Sequence, residues 1–143
     1  MDETDRGILR LLASDARMSV AVMARRLGLA RSTLQARLER LETTGVIAGY
    51  TLRLGEGARA NRIRASVLLT IEPRAQAGVL GRLRAIDAVE RIHTTSGRVD
   101  LLLEVAADTT SALDAVLDRI GGIDGVKGSE SLIHLSTKLD RAL

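Results

Sequence analysis

Residues 19–42 read SVAVMARRLGLARSTLQARLERLE, and two short helical patterns meet in them at a glycine. Val20, Met23, Ala24 and Leu27 stand at i, i+3, i+4 and i+7, the spacing of one buried helix face. Ser19 before them can accept a hydrogen bond from a first-turn amide and reads as the cap. Gly28 follows, where a chain leaving a helix often needs a left-handed residue. A second pattern, from about Ala30 to Thr43, carries Leu34, Leu38 and Leu41 on its inner face. Thr44-Gly45 ends it. Helix, tight turn and helix predict a helix-turn-helix, whose second helix can lie in the major groove of DNA.

The outer face of that second helix has the chemistry for the task. Arg31, Ser32, Thr33, Gln35, Arg37 and Arg40 lie off the leucine stripe and are the candidate DNA-binding residues. Arg bonds guanine edges in a bidentate way, Gln does so for adenine, and Ser and Thr suit phosphates or either base. Arg31 to Gln35 fall in the first turns, the part of a recognition helix that reaches base edges. From Arg17 to Arg40 there are six Arg and one acid, Glu39. A solvated Arg-rich face is the bland alternative. The bipartite spacing around Gly28 favours double-stranded DNA.

Composition narrows the rest. With 143 residues the chain holds one ordinary domain or two small ones. The 45% hydrophobic and 27% charged content is that of a globular protein. Tyr50 is the single aromatic residue, so stacking of bases on aromatic platforms has nothing to work with. The absence of Cys excludes disulfides, thiolate metal sites and a Cys nucleophile. No metal, cofactor or catalytic residue is expected. The acidic start MDETDRGILRLL lacks the pattern of a signal peptide, and no apolar run approaches membrane-spanning length, so the expectation is a soluble cytoplasmic protein. Residues 1–60 hold 10 basic and 7 acidic side chains, whereas 61–143 hold 11 of each. The basic excess therefore sits in the half with the helix-turn-helix.

Working outward, Thr4 to Ala13 form a helix with Ile8, Leu9, Leu11 and Leu12 as its apolar face. Asp2, Glu3 and Asp5 favour its dipole. Val46 to Leu54 reads as two short strands around Ala48-Gly49, a small wing, with Arg53 available to a DNA backbone. The domain boundary falls in a Gly-rich break, so 1–54 is a winged helix-turn-helix domain and 55–63 a linker. Residues 64–143 form the second domain. There Arg64 to Ile71 is a strand, and Pro73 opens a helix over Arg74 to Ile86 with Ala77, Leu80 and Leu83 aligned. Val89 to Thr95 and Val99 to Ala106 form a hairpin. Thr109 to Ile120 is a helix, and Val126 to Ser136 is the last strand. Strand-helix-strand-strand-helix-strand is the ferredoxin-like βαββαβ order, giving an α+β protein overall. Leu69, Ile71 and Leu102 are among more apolar strand residues than one buried face needs, which predicts a homodimer through the uncovered sheet face.

This arrangement resembles the Lrp/AsnC, or feast/famine, family of transcriptional regulators. Asp5-Arg6-Gly7-Ile8-Leu9 looks like that family's opening D-x-x-I-L. Arg37, Leu41, Glu42, Gly45, Val46, Ile47, Gly49 and Tyr50 match its R-x-x-x-L-E-x-x-G-V-I-x-G-Y run, the most specific feature of the chain. His93 followed by Ser96-Gly97-Arg98-Val99-Asp100 is similar to its H-x-x-T-G-x-x-D turn, and Gly125-Val126 also fits. The resemblance implies sequence-specific regulation of transcription by a dimer or higher homo-oligomer. It also implies a small effector, commonly an amino acid, bound between C-terminal domains. Carried over, it implicates Gly97, Arg98, Val99 and Asp100 of the turn, with Ser129 and Ser131 where the family often has hydroxyl residues. Backbone groups at the Gly turn suit a carboxylate, and Asp100 suits an ammonium. The structural alternative is that Gly97 makes the turn and Asp100 caps it. Ala30 departs from the family's usual Ser at the recognition-helix cap, Ser96 from Thr and Leu101 from an aromatic.

Two other functions stay open. Tetrapyrrole (siroheme) decarboxylases are similar in fold to this family, and His93 or His134 would then be a ligand or acid/base group. A weakly specific architectural oligomer would keep the basic patch without discriminating between sequences.

Overall fold

The computed structural model describes residues 1–59 and 62–140. Residues 60–61 of the expected linker and 141–143 of the expected second domain lie outside the described residues. The chain divides into two compact units, Met1–Arg53 and Leu54–Asp140.

Three helices build the first unit: α1 (Glu3–Ser14), α2 (Val20–Leu27) and α3 (Arg31–Thr43). Asp2 caps α1 in a reciprocal box, its carboxylate accepting from the Asp5 N–H while the Asp5 carboxylate accepts from the Asp2 N–H. Ser19 caps α2 through the Val22 N–H at 3.2 Å. Gly28 leaves α2 at φ 66°, a region costing other residues roughly 1–2 kcal/mol. No side chain caps α3 at Ala30, which forgoes about 1 kcal/mol relative to Ser. Ile8, Met23, Ala24, Leu34 and Leu41 are buried between the helices, with Leu9, Leu11, Leu12, Leu27 and Leu38 partly buried around them.

The expected wing does not form. No strand occurs between residues 46 and 54. The Ile47 N–H bonds instead to Leu41 O at 2.9 Å, and the Ile47 side chain packs on the three-helix core. Neither Ala48 nor Gly49 has the positive φ that a tight two-residue hairpin turn requires of its first central residue. Tyr50 donates its hydroxyl to Glu42 Oε1 at 2.7 Å, drawing the following chain toward the end of α3. A one-turn helix, α4 (Glu56–Arg59), stands inside the expected linker.

The second unit holds β1 (Ile63–Ile71), a 3-10 turn (Pro73–Ala75), α5 (Gln76–Arg84), β2 (Val89–Thr94), β3 (Leu101–Ala107), α6 (Thr110–Gly121) and β4 (Val126–Ile133). The four strands are antiparallel in the order β2-β3-β1-β4, the ferredoxin-like arrangement. Alternate residues Ala65, Val67, Leu69 and Ile71 of β1, and Leu101, Leu103 and Val105 of β3, are buried in one core with Val79 and Leu83 of α5 and Leu113 and Ile120 of α6. Ala77 is exposed, contrary to its expected place on the inner face of α5. Leu83 is buried as expected and Leu80 is half-buried, while Val79 takes the inward place expected of Ala77.

Leu69 and Ile71 thus belong to the helix-covered face and are not surplus. Strand pairing places Ser66, Leu68, Leu102, Glu104 and Leu132 on the other face. Leu68 and Leu102 are half-buried there and Leu132 is exposed.

Candidate functional site

The leucine stripe of α3 fixes which side chains can meet a partner. With Leu34 and Leu41 buried, Arg31, Ser32, Thr33 and Gln35 are all exposed in its first turns. Helical spacing divides the six candidates between two flanks. Arg31 and Gln35 share one, and Thr33, Arg37 and Arg40 share the other, with Ser32 between them. Gln35 donates its amide to Glu39 Oε1 at 3.0 Å, so its reach is set by an acid on the same face.

Arg37 and Arg40 are tied into the three-helix unit itself. Asp5 is buried, with 1% of its surface exposed. Its Oδ1 accepts from Arg37 at 2.9 Å and its Oδ2 from Arg40 at 2.7 Å. Arg37 also donates to Asp2 Oδ2 at 2.7 Å. Two carboxylates at the start of α1 therefore neutralise two guanidiniums of α3. The Asp5 backbone N–H, followed by the Arg37 guanidinium, holds the Asp2 carboxyl down at about 2. The Asp2 backbone N–H, with Arg37 and Arg40, lowers that of Asp5 against the cost of its burial. Arg37 is raised in turn, chiefly by its bond to Asp2. Among the described residues no carboxylate pairs with Arg31.

The effector candidates lie in the second unit and do not gather at one point. Gly97 turns the chain between β2 and β3 at φ 113°, a conformation other residues rarely take. Thr95 Oγ1 donates to Val99 O at 2.7 Å, and the Thr95 N–H to Asp100 O at 3.1 Å. The Asp100 N–H donates to Leu69 O at 2.8 Å. Asp100 Oδ2 accepts the Ile71 N–H at 2.9 Å, where the pairing of β1 with β4 shifts register. Asp100 therefore completes the end of the sheet within its own chain. Arg98 donates to Glu130 Oε2 at 3.1 Å.

Glu130 pairs with Leu68 and stands on the uncovered face, whereas Ser129 and Ser131 pair with the buried Leu69 and Val67 and stand on the helix-covered side. The expected grouping of both serines with Arg98 is thus split by the two-residue period of β4. A shallow cleft of about 480 Å³ along β2 and α5 is lined by Leu80, Arg84, Val89 to Ile92 and Thr94, and includes none of the six.

Similarity to known proteins agrees with this division of labour. Residues 1–42 match the AsnC-type helix-turn-helix domain, and residues 64–143 match the Lrp/AsnC ligand binding domain. The chain belongs to the Lrp/AsnC family. It is 32% identical to the HTH-type transcriptional regulator LrpA of Mycobacterium tuberculosis, over 99% of this chain and 95% of that protein. Its structure is similar to that of E. coli AsnC, with a TM-score of 0.91, 25% identity and coverage of 100% and 97% of the two chains. It is also similar to a feast or famine regulatory protein of M. tuberculosis complexed with L-methionine, with a TM-score of 0.88, 32% identity and coverage of 99% and 97%. As a member of this family the chain is a DNA-binding transcriptional regulator.

Within this Lrp/AsnC protein, three partners of the candidate residues escape a reading of the sequence. Asp2 and Asp5 carry a visible signal, since an acid three residues after a capping Asp suggests the reciprocal box. Their second role, as partners of Arg37 and Arg40, depends on contacts 32 to 35 residues away. Glu130 is hidden between the two serines and is exposed only by strand register. The two histidines take the uncovered face. His93 pairs with Leu102, and the His134 ring lies 2.8 Å from Ser66 Oγ. Among the described residues no group of three metal-ligating side chains assembles, and no helix is long and apolar enough to cross a membrane.

Proposed function

We propose that this chain is a cytoplasmic, sequence-specific regulator that acts as a homo-oligomer and responds to an amino acid. The observation that carries the reading is the exposed first turns of α3, held outward by a buried Leu34–Leu41 stripe. Arg31, Ser32, Thr33 and Gln35 are the groups assigned to the duplex. Arg37 and Arg40, paired to Asp2 and Asp5, fix the helix that presents them. The half-buried Leu68 and Leu102 on the uncovered sheet face support assembly through a second copy. Two-fold symmetry then calls for half-sites about one helical turn apart, or a multiple of it.

The effector enters through the relative bound to L-methionine. The reading assigns an amino acid to the Ser96–Asp100 turn, with Gly97, Arg98 and Val99 facing it and Asp100 holding the turn's shape. Ser129 and Ser131, on the opposite face, would serve only through contacts made by another copy. A non-enzymatic role is assigned because the relatives are transcriptional regulators.

The test begins with an operator selected from a randomised duplex pool. Arg31→Ala and Gln35→Ala are each expected to lose roughly ten-fold or more on that operator, while binding to scrambled DNA changes far less, as one bidentate base contact is worth about 1–3 kcal/mol. Unchanged discrimination in both variants would remove α3 as the reading helix. Adding amino acids singly should shift operator affinity for at least one; no response from any would remove the effector.

A further inference from the structure

Resting on the DNA-binding reading above, we infer that Asp5 limits the electrostatic affinity of this protein for DNA by withholding Arg37 and Arg40 of α3 from phosphates. Three arginines belong to α3, and two of them end on a carboxylate that is 1% exposed. Asp5 spends one oxygen on each guanidinium, and Asp2 adds a second bond to Arg37. A guanidinium 2.7 to 2.9 Å from a buried carboxylate is both neutralised and aimed at α1. To reach a phosphate it would have to leave a buried carboxylate with only one of its two guanidinium partners, which is costly. The flank of α3 that bears Thr33, Arg37 and Arg40 thus meets the duplex with hydroxyl chemistry and little net charge. Arg31 is the α3 arginine left for the backbone or a base.

Phosphate contacts attract any sequence equally and make binding fall with salt, with a slope of about 0.9 per contact. Two further free cations on the recognition helix would strengthen binding to bulk DNA, which competes for a regulator at every non-specific site. Asp5 is a positioning residue in this scheme, because it acts through the arginines and touches no DNA. If its role were structural alone, its loss would loosen α3 and weaken binding to every duplex.

Fluorescence anisotropy on a labelled random-sequence duplex, over a series of salt concentrations, separates these roles in the full-length protein. Asp5→Asn is expected to steepen the logarithmic salt slope by about 1 and to tighten random-duplex binding about eight-fold near ~0.1 M salt, the worth of one added phosphate contact. Arg40→Gln alone should leave the slope where it is, and Asp5→Asn with Arg40→Gln should restore it. Far-ultraviolet circular dichroism at the assay temperature checks that each variant keeps its helices. If Asp5→Asn lost them, Asp5→Glu, which keeps the charge and should keep the slope, and Arg40→Gln would still decide the matter. A slope that falls in Arg40→Gln, or does not rise in a folded Asp5→Asn, overturns the proposal. Arg31→Gln is the control on the underlying reading: it should lower the slope by about 1, and if it leaves the slope unchanged it is the DNA-facing assignment of α3 that fails.

Discussion

The two units of this protein reach their folds by different means. Among the described residues the three-helix unit buries five hydrophobic residues and the sheet unit fifteen, so the first has much less hydrophobic burial with which to offset chain entropy. Its helix ends make up part of the difference. Asp2 and Ser19 cap two helices, and a buried Asp5 ties the first helix to the third. The sheet unit keeps its ion pairs, such as Arg91–Glu104 and Arg98–Glu130, on exposed surface, where each is worth about 0–1 kcal/mol. The DNA-binding unit therefore depends on charge where the sheet unit depends on packing, and it should be the first to respond to changes that leave the other untouched.

Core truncation gives the largest effect. Leu34→Ala and Leu103→Ala each remove a fully buried leucine, at a cost of roughly 2–5 kcal/mol. In the smaller core that loss should unfold the three helices and abolish DNA binding while the sheet amides stay protected from hydrogen exchange. Leu103→Ala should leave a folded sheet with a lowered melting temperature. Loss of both units together in Leu34→Ala would erase the distinction.

Acid sharpens the same contrast. Asp2 is held at about 2, against 3.8 for a free side chain, and Asp5 is also lowered. Folded carboxyls of depressed pKa contribute stability that is complete above the unfolded value and is lost as pH falls toward the folded one. Helix melting followed by circular dichroism should thus weaken between about pH 4 and pH 2. Asp2→Asn should flatten that dependence, with sheet amide protection as the internal reference. Equal acid sensitivity of both units would contradict the comparison.

The smallest effect is at the end of α3. The hydrogen bond to Glu42 raises the Tyr50 hydroxyl from 10.0 to about 12. A raised folded pKa contributes stability that is present below the unfolded value and is lost as pH rises through the folded one, so this contact should fade between about pH 10 and pH 12. Because Tyr50 is the single aromatic residue, tyrosinate absorbance reads it alone. Glu42→Gln should bring the midpoint back toward 10.0.

What could be read from the sequence was whatever local spacing determines. Ser19, Gly28 and the Leu34–Leu38–Leu41 stripe mark the helix-turn-helix because caps, left-handed turns and helical faces act over a few residues. The alternation of strands and helices from residue 64 onward yields the sheet unit for the same reason. Local spacing does not decide the wing: β-prone residues such as Val46 and Ile47 form a strand only with a partner, and here Ile47 is drawn to the helix core. The candidate site was less legible than the fold. Nothing near Arg37 or Arg40 in sequence points to Asp5, and Ser129 and Ser131 matched a pattern whose face is set by pairing with β1. Direction, unlike residue type, is decided by tertiary contacts.

The placement of the histidines has a practical consequence. The chain holds two, His93 and His134, and strand pairing with the Ser66 contact puts both on the uncovered side of one sheet. Neither the three-helix unit nor the layer of α5 and α6 contains any. Every imidazole proton signal in a nuclear magnetic resonance spectrum therefore originates from that one surface. The unlabelled wild-type protein carries its own pair of reporters there, whose line widths and shifts register whatever comes to lie against it.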